Sequence, residues 1–267
     1  MGSMGTIKVG QSFGGAGAAY DEEVPQVYEQ TSDAYQNSAN LVGSKLDNNA
    51  IIWDSPAFDM GGATVSLDAA FSPDATDSAV NNGGQGTHTG YYGIGYGLGM
   101  TISGMVDGLT LGVYGDTREV GATQGGSANT DKAQDEFTGT WYAKFSTGPV
   151  SIGYQTSYYD SGLTGSAVAA ASPATVGTSS GVFEAESMSI AFNVNDNLTI
   201  SYGTHEDNKE ADSNDANTVD VDIDSIQAAY TMGSMAVKVQ RTETDNPNFV
   251  NNTESELSEV CLLYTSP

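Results

Sequence analysis

The chain runs to 267 residues and carries 34 Asp and Glu against 8 Lys and Arg, a formal net charge of −26. Phosphate backbones are bound by clustered Lys and Arg, so this balance argues against nucleic acid as a partner. Hydrophobic residues reach only 38% although Val, Ile, Thr and Tyr abound; no run of about 18 apolar residues exists, which excludes a transmembrane helix and leaves little for an oily core.

In chain order, the first strand signal lies at 4–11, where Ile7 and Val9 flank Lys8 behind a Met1-Gly-Ser-Met4 turn. From Val24 to Leu46 alternation is missing, and short helical turns fit there. A period of two returns at 50–57, at 62–71 with Val65, Leu67, Ala69 and Phe71, at 91–105, and at 108–116 with Leu109, Leu111 and Val113. Over 136–146, Phe137, Trp141, Ala143 and Phe145 alternate with Thr138, Thr140, Tyr142 and Lys144. Val150, Ile152, Tyr154 and Tyr158 share one face of 149–159. The beat continues at 183–194 with Met188, Ile190, Phe192 and Val194, then at 197–205, 224–232 and 235–244, and an incomplete strand begins at 254–260. Twelve strands are predicted.

The connections carry more information than the strands. Short links rich in Gly, Asn, Asp or Pro sit at Asp59–Gly62, Val106–Gly108, Thr147–Pro149, Asn195–Asn197 and Gly233–Ser234. Between them come long polar stretches at Ser72–Gly90, Thr117–Gln134, Asp160–Val182, Glu206–Asp222 and Asp245–Thr253. In an up-and-down meander this alternation puts every tight turn at one end and every long loop at the other. That asymmetry, with alternating strands, is the pattern of an outer-membrane β-barrel, which closes on itself because hydrocarbon cannot satisfy backbone polar groups. The apolar face then meets lipid and the inner face stays wet, so a low hydrophobic fraction is expected.

Met-Gly-Ser-Met recurs at Met232–Met235, again ahead of a lysine between β-branched residues, and both copies are read as turns at the short-turn rim. Lys8, Lys144 and Lys238 all have the polar parity and point to the lumen. Either they avoid lipid, where a midplane charge costs about 2–4 kcal/mol, or they serve a pore. His88 and His205 lie far apart in polar sequence and Cys261 has no disulfide partner, so no metal site, cofactor or His-centred catalytic set is expected. Asp220-Val-Asp-Val-Asp224 is similar to a calcium loop, but Ser225 occupies the position that needs Gly and no Glu closes it, so an acidic loop is expected. Gly93, Gly95, Gly97 and Gly99 thin one face of their strand, for a subunit contact or a bend.

Gly5-Thr-Ile-Lys-Val-Gly10, followed by a long Asp- and Glu-bearing segment and a returning strand at Ala50–Asp54, resembles the part of Gram-negative general porins where a strand leads into the loop folded back inside the barrel. The strand pair Phe137–Tyr159 around Gly-Pro, and Asn195-Asp-Asn-Leu-Thr-Ile-Ser-Tyr202, resemble porin hairpins, most like the alphaproteobacterial type. The resemblance reaches to about Glu259. It implies an all-β, transmembrane antiparallel up-and-down barrel with about 12 of 16 strands in residues 1–260, and 11–49 as the inward-folded constriction loop. Matching the first strand to the family's fifth implies about four strands and a signal peptide upstream of Met1.

The same resemblance implies a water-filled channel for passive diffusion of small hydrophilic solutes and ions, in the cell outer membrane, as a homotrimer in contact with lipid and lipopolysaccharide, without a cofactor and without enzymatic activity. Asp21, Glu22, Glu23, Glu29 and Asp33 would form the acidic side of the constriction, and Lys8, Lys144 and Lys238 an opposing basic side. The net charge favours cations. Trp53, Trp141, Phe145, Tyr158 and Phe183 would form the aromatic girdle. Residues 261–267, Cys-Leu-Leu-Tyr-Thr-Ser-Pro, break the alternation and look like translated sequencing-adapter DNA, so a non-native tail is expected there in place of an aromatic end. Two readings from other classes stay open: a secreted acidic β-sheet binding protein or adhesin, and an outer-membrane barrel enzyme. Detergent dependence separates the first from a barrel, and single-channel conductance separates the second from a channel.

Overall fold

The computed structural model describes residues 4–10, 16–33, 46, 49–73, 92–120, 131–132, 135–160, 163–164, 182–210 and 219–264. Its strands are β1 (Thr6–Gly10), β2 (Ala50–Asp54), β3 (Phe58–Met60), β4 (Ala63–Ser72), β5 (Tyr92–Ser103), β6 (Leu109–Val120), β7 (Asp131–Lys132), β8 (Glu136–Thr147), β9 (Val150–Asp160), β10 (Leu163–Thr164), β11 (Val182–Asn195), β12 (Leu198–Glu210), β13 (Val221–Met232), β14 (Met235–Asp245) and β15 (Glu254–Tyr264). One antiparallel sheet runs β1-β2-β4-β5-β6-β8-β9-β11-β12-β13-β14-β15, with β3 paired to β4 and a separate pair formed by β7 and β10. The twelve strands on this path correspond to the twelve predicted spans. Each pairs with its neighbours along the chain, so the topology is an up-and-down meander. No α-helix occurs among the described residues; the helical turns are 3-10 segments at Ala16–Tyr20, Thr31–Asp33 and Pro247–Phe249.

The tight turns fall where predicted, all at one end. At Gly233-Ser234, φ of +57° at Gly233 lets Met232 and Met235 face each other across a two-residue hairpin. This explains one copy of Met-Gly-Ser-Met; residues 1–3 of the other lie outside the described residues. At the far end several strands run beyond their predicted limits. Thr117–Val120 belongs to β6, Glu206–Glu210 to β12 and Val221–Ile223 to β13; at the turn end, where Tyr264 pairs with Met235, β15 likewise continues through Cys261–Tyr264. The far-end extensions carry polar residues on the outer face, where the rest of each strand is apolar, and a hydrophobic pattern does not reveal them. For the same reason Asp220–Asp224 is no calcium loop: Asp222 and Asp224 point outward from a strand while Val221 and Ile223 are buried inward.

The two faces differ chemically. Ile152, Ile190 and Ile200, with Met188, Phe192, Tyr202 and Ile226, stand on the outer face and are 39–60% exposed, with no second layer over them among the described residues. Toward the long-loop end this apolar surface gives way to a row of carboxylates, in which Glu186 pairs with Glu206, Glu206 with Asp222, Asp222 with Asp245, and Asp245 with Glu254. Like charges directly opposite one another repel, and are tolerated where water or counter-ions reach them. The inner face is buried and polar: Thr138, Thr140, Gln155, Ser157, Ser187, Ser189, Ser201, Ser225, Gln227, Gln240 and Thr242 line it. A sheet that exposes oil and buries hydroxyls and amides is the inverse of a soluble sandwich, and it matches a barrel wall between lipid and lumen.

Candidate functional site

Residues 16–33 lie on the polar inner face and cross it from β4 to β14. They begin at the Ala16–Tyr20 turn, which packs on β4, β5 and β6. The Tyr20 ring stacks on Tyr114 with centroids 5.1 Å apart, lies 6.3 Å from Tyr142, and its hydroxyl donates to Asp68. Glycines on the wall make room for the segment. A Cβ at Gly99 would enter the Tyr20 ring, one at Gly153 would meet Pro25, and one at Gly203 would meet the Thr31 hydroxyl. The small face of β5 therefore looks inward and seats aromatic rings, which corrects the expectation of a subunit contact or a bend.

Polar wall residues hold the segment's backbone. Gln155 Oε1 accepts from Glu23 N–H at 2.6 Å, and Gln155 Nε2 donates to the Tyr20 carbonyl at 2.9 Å. Ser189 donates to the Pro25 carbonyl at 2.6 Å. Gln227 Oε1 accepts from Tyr28 N–H at 2.9 Å, and its Nε2 donates to the Glu29 carbonyl at 2.6 Å. Within the segment, Glu22 accepts from the backbone N–H of Thr31 at 3.2 Å and of Ser32 at 3.0 Å, and from the Gln26 side chain. That clasp folds the segment into a compact arch.

The predicted site residues separate into groups. Asp21, Glu22, Glu23 and Asp33 come together, and Glu29 lies at the far end of the arch over β13. Burial, then the charges of Asp33 and Glu22, push the Asp21 carboxyl up to about 6; Asp33 is raised by burial and by Glu22. Glu22 corrects the expectation of a lumenal charge, since it is buried with both oxygens spent on the arch. The lysines correct another. Lys144 lies under the segment, paired with Glu23 at 2.5 Å and 5.0 Å from the Tyr142 ring centroid; Lys238 lies 5.7 Å from the Tyr28 ring centroid; Lys8 pairs with Asp54 at 2.7 Å. All three have the inward parity, but Lys144 and Lys238 support the acidic segment from below instead of opposing it. Among the described residues no group of three His, Cys, Asp or Glu side chains is placed to hold a metal ion.

Of the aromatic residues, Trp53 and Phe145 point outward near the turn end, and Trp53 Nε1 donates to the Met4 carbonyl at 2.8 Å. Trp141 and Tyr158 point outward at the level where the carboxylate row begins, because Trp141 pairs with Thr156 and Thr156 with Glu186. Phe183 departs from the girdle. It is buried on the inner face between Tyr159 and Phe249, at 5.7 and 6.1 Å, because its parity is that of Ala185 and Ser187. Periodicity did not single out the buried pair Arg118 and Glu136, in which two oxygens of one carboxylate each accept from Arg118 Nη2 at 2.7 Å. Its signal was two charges on polar-parity positions of adjacent strands.

No family profile and no curated protein matches the sequence. Solved structures do match. OmpT, expressed in the outer membrane of Vibrio cholerae, superposes with a TM-score of 0.55 at 12% identity, over 97% of this chain and 75% of that one. The outer-membrane channel DcaP of Acinetobacter baumannii gives 0.56 at 12% identity, over 97% and 69%. A porin gives 0.57 at 14% identity, over 98% and 79%. The chain therefore has the fold of a transmembrane antiparallel up-and-down β-barrel, with short turns on one rim and long loops on the other.

Proposed function

We propose that this chain is the larger part of an outer-membrane porin of the alphaproteobacterial type, whose water-filled lumen passes small hydrophilic solutes and ions by passive diffusion. The observation that carries the reading is the arch of residues 16–33 lying across the polar inner face of a sheet whose outer face is apolar and exposed. In this reading 11–49 is the constriction loop within a barrel of residues 1–260, and 261–267 is a non-native tail. Asp21, Glu23, Glu29 and Asp33 give the constriction a negative edge and a preference for cations, tempered by Lys144 and Lys238. Trp53, Trp141, Phe145 and Tyr158 sit at the two membrane interfaces, lipopolysaccharide faces the outward carboxylates, and three copies assemble as in the family. No catalytic step is assigned to the chain.

The test is planar-bilayer recording on the product of the complete gene that carries this sequence. Stepwise conductance, with a reversal potential of cation-selective sign under a salt gradient, supports the proposal. Extraction without detergent and a silent bilayer would replace it with the acidic binding-protein reading. Turnover of an ester or peptide substrate would replace it with a barrel enzyme.

A further inference from the structure

We propose that Gln155 and Gln227 are positioning residues that pin the inward arch at two points and so set the channel's ion preference, an inference that rests on the porin reading above. Both project inward from β9 and β13, and they are 0% and 2% exposed. Each amide is used at both ends. Gln155 Oε1 accepts from Glu23 N–H at 2.6 Å, while Nε2 donates to the carbonyls of Tyr20, at 2.9 Å, and Asp21, and to Thr140 Oγ1 at 3.0 Å. Gln227 Oε1 accepts from the N–H groups of Val27, at 3.2 Å, and Tyr28, at 2.9 Å; its Nε2 donates to the Glu29 carbonyl at 2.6 Å and to Ser225 Oγ at 3.2 Å.

A neighbouring strand offers a passing backbone one donor and one acceptor, and a glutamine side chain offers the same pair where no strand is present. Among side chains of this length only the carboxamide supplies both: an ionised Glu cannot donate, and the Met thioether offers only a weak acceptor. The first pin holds the backbone that carries Asp21 and Glu23, and the second holds the backbone that carries Glu29. Between them Pro25 has no N–H to satisfy, and its carbonyl is met by Ser189 at 2.6 Å. The carboxylates of Asp21, Glu23 and Glu29 thus stand on main chain fixed by the wall, so the place of the negative edge is decided by two uncharged residues that lie covered beneath the arch.

The experiment pairs hydrogen–deuterium exchange in lipid vesicles with bilayer recording, on wild type, Gln155→Met, Gln227→Met and Gln227→Glu. In Gln155→Met the Glu23 amide exchanges about tenfold faster while Tyr28 is unchanged, and Gln227→Met does the reverse. Gln227→Glu keeps the acceptor and with it the protection of Tyr28. The cation-selective reversal potential of Gln155→Met moves toward zero, with added open-channel noise. Should Gln155→Met fail to fold, Gln155→Asn, one carbon shorter with both groups kept, is expected to loosen Glu23 in the same way. Unchanged amide exchange beside a conducting wild type overturns the pins, and so does faster exchange spread evenly through the strands at an unchanged reversal potential. Protected Glu23 and Tyr28 amides in a wild type that never conducts overturn the porin reading and the control of selectivity together.

Discussion

Gly99→Ala is the sharpest test of whether the inward arch is seated on the wall. A Cβ there would lie 2.5, 2.7 and 2.8 Å from Oη, Cζ and Cε2 of Tyr20, well inside van der Waals contact. The ring cannot slip sideways, because Tyr114 and Tyr142 flank it at 5.1 and 6.3 Å. It must lift away from β5, and in lifting it surrenders its bond to Asp68. Overpacking costs about 1–3 kcal/mol, and the lost hydrogen bond to a carboxylate adds about 1.5–3 kcal/mol, so the expected destabilisation is about 2.5–6 kcal/mol. Gly115→Ala is the control. Its nearest neighbours would be 3.6 and 3.7 Å away, an ordinary contact, and less than about 0.5 kcal/mol is expected. Equilibrium unfolding from lipid vesicles by guanidinium measures both. If Gly99→Ala falls within 0.5 kcal/mol of Gly115→Ala, an estimate set by the usual scatter of surface substitutions, the arch does not rest where it is drawn.

Three other changes probe the wall and the arch. Ile190→Lys puts a charge on the lipid face of β11 and is expected to destabilise by about 2–4 kcal/mol in the same unfolding assay; a neutral result would place that face in water. Arg118→Met leaves Glu136, only 2% exposed, as an uncompensated buried charge, at a cost of about 3–5 kcal/mol that Glu136→Gln in the same chain should largely relieve. Asp21 has a folded-state value near 6, above the ordinary 3.8, so the folded chain binds more protons between those two values. Stability therefore declines as pH rises from about 4 to about 6 and is flat in this respect above, a slope that Asp21→Asn removes. In bilayers the cation preference should strengthen as pH rises through about 6 in wild type, and more weakly in Asp21→Asn.

The strands were legible because burial here has a simple geometry. Each residue of β8 or β11 faces either oil or the interior, and the choice alternates, so Phe137, Trp141, Met188 and Ile190 declare their side from sequence alone. The pattern fails where the outer face turns polar. Glu206–Glu210 and Val221–Ile223 continue the ladder without an apolar residue on the outer face, and so they read as loop. The direction of Phe183 was hidden by residue type, since an aromatic near a strand end suits an interface; only its parity with Ala185 and Ser187 places it inward. Tertiary contacts were not legible at all. Nothing in a single sequence ties Gln227 to Tyr28 across 199 positions, and the glycines of β5 announce that something packs closely without naming Tyr20.

The charge of the proposed constriction follows from the same contacts. Five carboxylates in residues 21–33 suggest a strong negative edge, but the structure spends them unequally. Glu22 is consumed by its clasp on Thr31 and Ser32, and Glu23 is paired with Lys144, both side chains about one-third exposed. Such a partly exposed pair contributes little to stability, yet it cancels one charge locally. Asp21 is half-neutralised near pH 6 by its burial and then by the charges of Asp33 and Glu22. Glu29 and Asp33 keep the exposed positions. A channel built this way would be selective in degree, with an ion preference carried by few carboxylates and tunable by pH, because the remaining acids of the arch are engaged in holding its shape.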